Sequence, residues 1–162
     1  MGFLYQLRKN IMFFLPHKTV HTIRYWNEFH KTINWKNPQL YDEKICWLIA
    51  NIYDEKYGKY ADKYQVRSFV EQCGLGNLLV PLVGVFDSVK DINYEQLPNM
   101  FILKSTQGSG KDFYEICNNK QNLDLKRIEK KFMKALKYDF AKRSCEYHYH
   151  GIKPRIICEE LL

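Results

Sequence analysis

The sequence predicts one domain of the α/β class in its α+β form, with helices first and a small sheet carrying a glycine-rich hairpin after them. Three observations carry that reading. Two helical periodicities occupy residues 42–52 and 62–73, ahead of any strand. Two short β-like runs, 100–104 and 113–117, flank a segment that holds Gly108 and Gly110. Of the 162 residues, 46% are hydrophobic, enough for one sizeable core and few for two. Twelve Tyr, ten Phe and three Trp add aromatic surface that a packed domain buries and a disordered chain lacks.

Residues 1–40 read as an N-terminal arm closed by Asn37 and Pro38, and residues 41–162 as the domain proper. Within the arm, Leu4, Leu7, Ile11, Met12, Phe13, Phe14 and Leu15 are mixed with Arg8 and Lys9, a poor signal peptide because no small-residue cleavage site follows. They suit packing within the chain or contact with a membrane surface. Asp42 then opens a helix whose Ile45, Leu48, Ile49 and Ile52 share one face. After a join rich in Tyr53, Tyr57, Gly58 and Tyr60, a second helix over 62–73 carries Val66, Phe69, Val70 and Cys73 as its apolar stripe and stops at Gly74.

Residues 78–86 are rich in Leu and Val, but Pro81 and Gly84 make them a loop entering a short strand. The runs at 100–104 and 113–117 are the next two strands. Ile128, Phe132, Leu136 and Phe140, four residues apart, predict one amphipathic helix from Leu125 to about Arg143. Pro154 precedes a last strand with Ile156, Ile157 and Leu161. A hydrophobic strand running to Leu161 and Leu162 without a turn or polar tail suggests an incomplete sheet, and hence self-association or a partner chain at that strand.

Lys and Arg exceed Asp and Glu by 25 to 18, a net charge of +7 that favours anionic partners: nucleotides, phosphorylated sugars, nucleic acid or acidic lipid. Lys126, Arg127, Lys130, Lys131, Lys134 and Lys137 recur at helical spacing and read either as a solvated helix face or as an anion-binding one. Nucleic-acid binding is disfavoured, because the aromatic residues interleave with apolar helix positions instead of lining a basic stripe. The odd set of Cys46, Cys73, Cys117, Cys145 and Cys158 lacks paired spacing and suits free, buried thiols in a reducing, cytoplasmic setting. No run approaches the roughly 20 apolar residues of a membrane span, which leaves peripheral contact at the inner membrane face as the membrane option.

The sharpest local feature is Lys104 at the end of a strand, followed by Ser105, Thr106, Gln107, Gly108, Ser109, Gly110 and Lys111. A sheet can aim the lysine, and glycines let backbone N–H groups approach a polyphosphate. Ser105, Thr106 and Ser109 add hydroxyl donors. A P-loop fails at two places: Ser105 stands where its first glycine belongs, and Asp112 where Ser or Thr must follow the lysine. A plain hairpin turn with glycines for its backbone angles remains open on this motif alone.

Four spaced motifs extend the pattern. They are Tyr41-x-Glu43-Lys44-Ile45; Ala61-Asp62-Lys63-Tyr64-x-Val66-Arg67; Leu97-Pro98-x-x-Phe101-x-Leu103-Lys104 with Gly108-Ser109-Gly110; and Pro154-Arg155-Ile156-Ile157-x-Glu159-Glu160. In that order the chain resembles the TupA-like branch of the ATP-grasp superfamily, found among bacterial cell-surface polysaccharide and teichuronopeptide biosynthesis proteins. The resemblance implies an ATP-grasp-like fold with ATP as the bound nucleotide. By the same resemblance Lys104 contacts the phosphates, Ser105 and the loop Gly108, Ser109 and Gly110 lie over them, and Glu159, Glu160 and Leu161 form the hinge that recognises adenine. Lys63 and Arg67 are then a basic pair facing the cleft. Gln107 departs from the family, whose members often carry histidine there.

The resemblance is expected to cover only the amino-terminal part of the family's fold, because no later acidic segment for magnesium is seen; Mg2+ is expected only with that part, and catalysis by this chain alone is not. The functional reading is a nucleotide-binding lobe of a carboxylate-activating, ligase-type protein of polysaccharide biosynthesis, with an anionic sugar or a carboxylate as acceptor. A glycosyltransferase or its accessory, and a non-enzymatic remnant or interaction module, stand as alternatives. Cys145, His148, His150 and Cys158 match no usual zinc spacing, and no metal site is expected. Asp62, Glu71, Asp87, Asp91 and Asp112 fit caps and turns better than a carboxylate pair.

Overall fold

The computed structural model describes residues 15–52, 55–144 and 146–162. The readings placed on residues 1–14, Tyr53 and Cys145 lie outside them. The helices are α1 (His17–Phe29), α2 (Tyr41–Asn51), α3 (Gly58–Ala61), α4 (Gln65–Gln72), α5 (Leu125–Leu136) and α6 (Phe140–Ser144). The strands are β1 (Leu82–Phe86), β2 (Phe101–Ser105), β3 (Tyr114–Cys117) and β4 (Ile156–Glu160). They form two compact units: one holds the described residues up to Tyr57 together with Asp139–His150, the other Gly58–Tyr138 and Gly151–Leu162.

In the first unit Val20, Tyr25, Ile33 and Ala141 are buried. Glu43, in the first turn of α2, is buried as well and accepts the backbone N–H groups of Asn34, Gln39 and Leu40 at 3.0, 2.9 and 3.1 Å. One carboxylate thus satisfies three otherwise orphan donors and fixes the entry to α2. The bonds from Asn34, Gln39 and Leu40 hold its pKa below the ordinary glutamate value. The Arg24 guanidinium donates to the carbonyls of Ser144 and Arg143, which ties α1 to α6. The apolar face read for α2 is only partly covered: Ile45, Leu48 and Ile52 are 37%, 46% and 46% exposed.

The second unit is built on an antiparallel sheet of order β1-β4-β2-β3. Alternation sorts its side chains by face. Phe101, Leu103, Cys117, Ile156 and Cys158 point to one side and join Ile128 and Phe132 of α5 in the core. Ala135, also on α5, is 4% exposed. Across that interface Arg127 and Lys131 of α5 both pair with the Glu115 carboxylate of β3. The opposite side carries Ile102, Lys104 and Glu159, because Ile102 pairs with Glu159 and Lys104 neighbours Ile157 across the β2–β4 ladder.

Several boundaries differ from the sequence expectation. The helix expected over residues 125–143 ends at Leu136 and resumes at Phe140. Tyr138 N–H turns back onto the Ala135 carbonyl, and Asp139 caps the next turn by accepting from Lys142 N–H at 3.0 Å. The helix expected from Asp62 begins at Gln65, because the Asp62 carboxylate accepts from Tyr64 and Gln65 N–H. No residue of α4 is fully buried, so Val66, Phe69, Val70 and Cys73 are not a core stripe.

Two other expectations change. The last strand is not an open edge: β4 lies in the middle, hydrogen-bonded to β1 on one side and β2 on the other, so its pairing groups are taken and offer no strand for self-association. Of the four cysteines among the described residues, Cys117 and Cys158 are buried, Cys46 is half-buried and Cys73 is exposed. No helix among the described residues is long and apolar enough to cross a membrane.

Candidate phosphate-binding site

On the sheet face turned away from α5, three cations gather around one carboxylate. Lys104 Nζ is 2.6 Å from Glu159 Oε2, and Arg67 Nη1 is 2.9 Å from Glu159 Oε1. Glu159 is 7% exposed, while its neighbour Glu160, on the other face at the end of β4, is exposed. The second arm of Arg67 donates to the Val80 carbonyl at 2.7 Å, which fixes the guanidinium plane. Lys63 stands one turn before Arg67 and donates to the Gly108 carbonyl at 2.6 Å. Burial first, and then the like charge of Lys104, pull the Lys63 pKa below the ordinary lysine value. Three positive groups against two buried carboxylates, Glu159 and the Asp62 that acts on Lys63, still leave the site short of negative charge.

The glycine segment divides into a fixed stem and an exposed tip. Ser105 donates its hydroxyl to the Gln107 carbonyl at 2.7 Å, Thr106 donates to the Lys153 carbonyl at 2.9 Å, and Gln107 donates its amide to the Ala135 carbonyl at the end of α5 at 3.0 Å. All three are buried, so the Ser105 and Thr106 hydroxyls are engaged within the protein instead of lining the cleft. Gly108 and Gly110 have φ of 83° and 88°, the left-handed region that side-chain-bearing residues avoid. Ser109 and Gly110 are exposed at the tip. The hairpin closes through Ser105 N–H to the Phe113 carbonyl and Phe113 N–H to the Gly110 carbonyl.

The structure therefore brings together Lys63, Arg67, Lys104, Gly108 and Glu159 from three separate stretches of chain. Glu160 lies outside that cluster, with its N–H on the Pro81 carbonyl, and Leu161 is half-buried just beyond β4. The donors fit phosphate oxygens: two ammonium groups and a guanidinium beside a loop with positive-φ glycines. They do not fit magnesium, because both Glu159 oxygens are held by Arg67 and Lys104 and both Asp62 oxygens by Tyr64 and Gln65. Among the described residues no three His, Cys, Asp or Glu side chains converge as metal ligands.

A concavity in the same unit, of about 480 Å³, is lined by Tyr64, Val85, Phe86, Asp87, Asp91, Lys153 and Arg155, two acids and two bases. No spacing in the sequence announces it. Asp87 bridges Lys153 at 2.9 Å and Arg155 at 3.4 Å, and the Arg155 guanidinium sits 5.3 Å over the Tyr64 ring. Its charges are already matched, unlike those around Glu159.

The model of one protein family, described as TupA-like ATPgrasp, matches residues 43–162. No curated protein and no solved structure matches the chain. The match takes in Lys63, Arg67, Lys104, the glycine loop and Glu159 and spans nearly the whole chain, which overturns the expectation that the resemblance stops at an amino-terminal part of the family's fold. In the sheet β4, from the last motif, is the partner of β2, from the third, so these two motifs form one hydrogen-bonded unit.

Proposed function

The chain belongs to the TupA-like ATP-grasp family, and from that premise we propose that Lys63, Arg67, Lys104 and the loop around Gly108 hold the phosphates of ATP for carboxylate activation in bacterial cell-surface polysaccharide biosynthesis. The observation that supports it most is the convergence of Lys63, Arg67 and Lys104, three cations that outnumber the buried carboxylates Glu159 and Asp62 beside them. ATP supplies the phosphoryl group; the residues here supply position and charge.

Each residue has a distinct part. Lys104 is aimed by β2 and held by Glu159, so its ammonium is oriented before a ligand arrives and loses less side-chain freedom on binding. Arg67, with one arm on Glu159 and the other on the Val80 carbonyl, is a fixed positive wall. Lys63 spends its proton on a neutral carbonyl, and a phosphate oxygen is a stronger acceptor, so the ammonium can move from Gly108 to the ligand. Glu159 is a positioning residue that sets the two cations and keeps them from repelling each other.

Calorimetric titration tests the reading. ATP binds the parent chain, and Lys104→Ala weakens it by roughly tenfold to a hundredfold, the value of a charge-assisted hydrogen bond, with the melting temperature little changed. A sugar nucleotide such as UDP-glucose binds more weakly than ATP. Equal ATP affinity in the two proteins, or preference for the sugar nucleotide regardless of Lys104, overturns the proposal.

A further inference from the structure

The outer line of α5 is cationic from end to end. Lys126, Lys130, Lys134 and Lys137 are all exposed, and none of them forms an ion pair with a described residue. At about 100° per residue the four fall within an arc of about 80°, diametrically opposite the buried Ile128, Phe132 and Ala135. The ridge is about 16 Å long. The other two cations of the helix, Arg127 and Lys131, lie to one side and are bound to Glu115, so they pin α5 to the sheet and hold the free lysines outward. Met133 and Leu125, 41% and 46% exposed, lie along the other flank with the half-buried Glu129 between them.

Like charges three and four residues apart on a helix repel, so this row weakens α5 unless something anionic meets it. The shape narrows the choice of partner. The row lies on the convex crest of the helix, with no groove to cradle a polymer and no exposed aromatic rings on α5 to stack bases. A straight cationic crest beside exposed apolar side chains suits a flat anionic surface with an apolar interior. We propose that the outer face of α5 docks this protein on an anionic lipid bilayer through Lys126, Lys130, Lys134 and Lys137, independently of the cations around Glu159.

The test is sedimentation with vesicles of phosphatidylcholine, with or without about one third phosphatidylglycerol, at low salt. The parent chain partitions onto the anionic vesicles and not the neutral ones, and about 1 M salt releases it, because the screening length there is roughly 3 Å. Changing all four ridge lysines to glutamine lowers the partition by roughly fivefold per lysine, on the order of several hundredfold together. Changing them to arginine retains it. A control with the same loss of charge elsewhere, Lys31, Lys36, Lys44 and Lys90 to glutamine, lowers it by no more than a few-fold. Equal loss in both glutamine variants, undiminished binding by the ridge variant, or binding to soluble heparin with vesicles ignored overturns the proposal.

Discussion

Lys104 and Glu159 meet diagonally across the β2–β4 ladder at 2.6 Å, and the same carboxylate holds Arg67 at 2.9 Å with its other oxygen. Glu159 is 7% exposed and its neighbour Glu160 is exposed, so two adjacent glutamates have opposite roles. Glu159→Gln leaves two cations without their shared anion and lowers stability by about 2 kcal/mol. Glu160→Gln changes it by less than about 0.5 kcal/mol. Urea denaturation of the two variants measures the difference, and similar values for both would contradict the packing around Glu159.

Acid should release α5 from the sheet at Glu115. Burial acts to raise the Glu115 pKa, but the hydrogen bonds and charges of Arg127 and Lys131 together outweigh it and hold the pKa below the ordinary value of 4.5. A depressed carboxyl contributes stability that is fully present above its unfolded-state pKa and is lost as pH falls through the lower folded-state value. The melting-temperature gap between the parent and Glu115→Gln should therefore be constant near neutral pH. It should begin to close as pH falls below the ordinary glutamate value and vanish under the folded pKa; a gap independent of pH down to acid unfolding would show that the ion pairs contribute nothing.

Gly84 is required by packing instead of by backbone angle. A Cβ at that position would stand 2.6 Å from Cζ of Phe86, whose ring packs against the core. Gly84→Ala therefore forces the ring out of place and costs about 1–3 kcal/mol, visible as a lowered urea midpoint. At Gly110 a Cβ meets nothing within 4 Å, so Gly110→Ala carries only the backbone strain of φ 88°, on the order of 1 kcal/mol. If Gly84→Ala were the milder of the two, the Phe86 contact would not be what excludes a side chain.

The thiols should separate by reactivity. Cys73 is exposed, whereas Cys117 and Cys158 are buried, and burial pushes the Cys158 pKa up to about 12. Iodoacetamide at neutral pH should alkylate Cys73 in the native protein and reach Cys117 and Cys158 only after denaturation, as peptide mass mapping would report. Native labelling of Cys158 at the rate of Cys73 would mean that β4 opens readily.

The local elements were legible because their signals are local. The strand with Lys104, the glycine turn and the strand ending at Cys117 form the expected hairpin, with period-two burial along β2. The helix that contains Lys44 was marked by Asp42 and the apolar face of Ile45, Leu48, Ile49 and Ile52. In contrast α1 passed unread inside the arm, since only Val20 and Tyr25 of its apolar residues are buried and their spacing of five marks no stripe. The break at residues 137–139 was hidden because Phe140 keeps the interval of four while the backbone turns at Tyr138.

The sequence by itself determined the class of fold, the four motifs of the family and the types of side chain at the site: a strand lysine, the basic pair Lys63 and Arg67, a glycine pair and two glutamates. It could not rank Glu159 above Glu160, nor say that the Ser105 hydroxyl turns inward to the Gln107 carbonyl. Those facts depend on strand order. Only when β4 is placed between β1 and β2 does Glu159 come within reach of both Lys104 and Arg67, 55 and 92 residues away in the chain. Periodicity records which side of a strand a residue faces, whereas the neighbour it meets there is set by long-range pairing, which leaves no trace in the spacing of either segment.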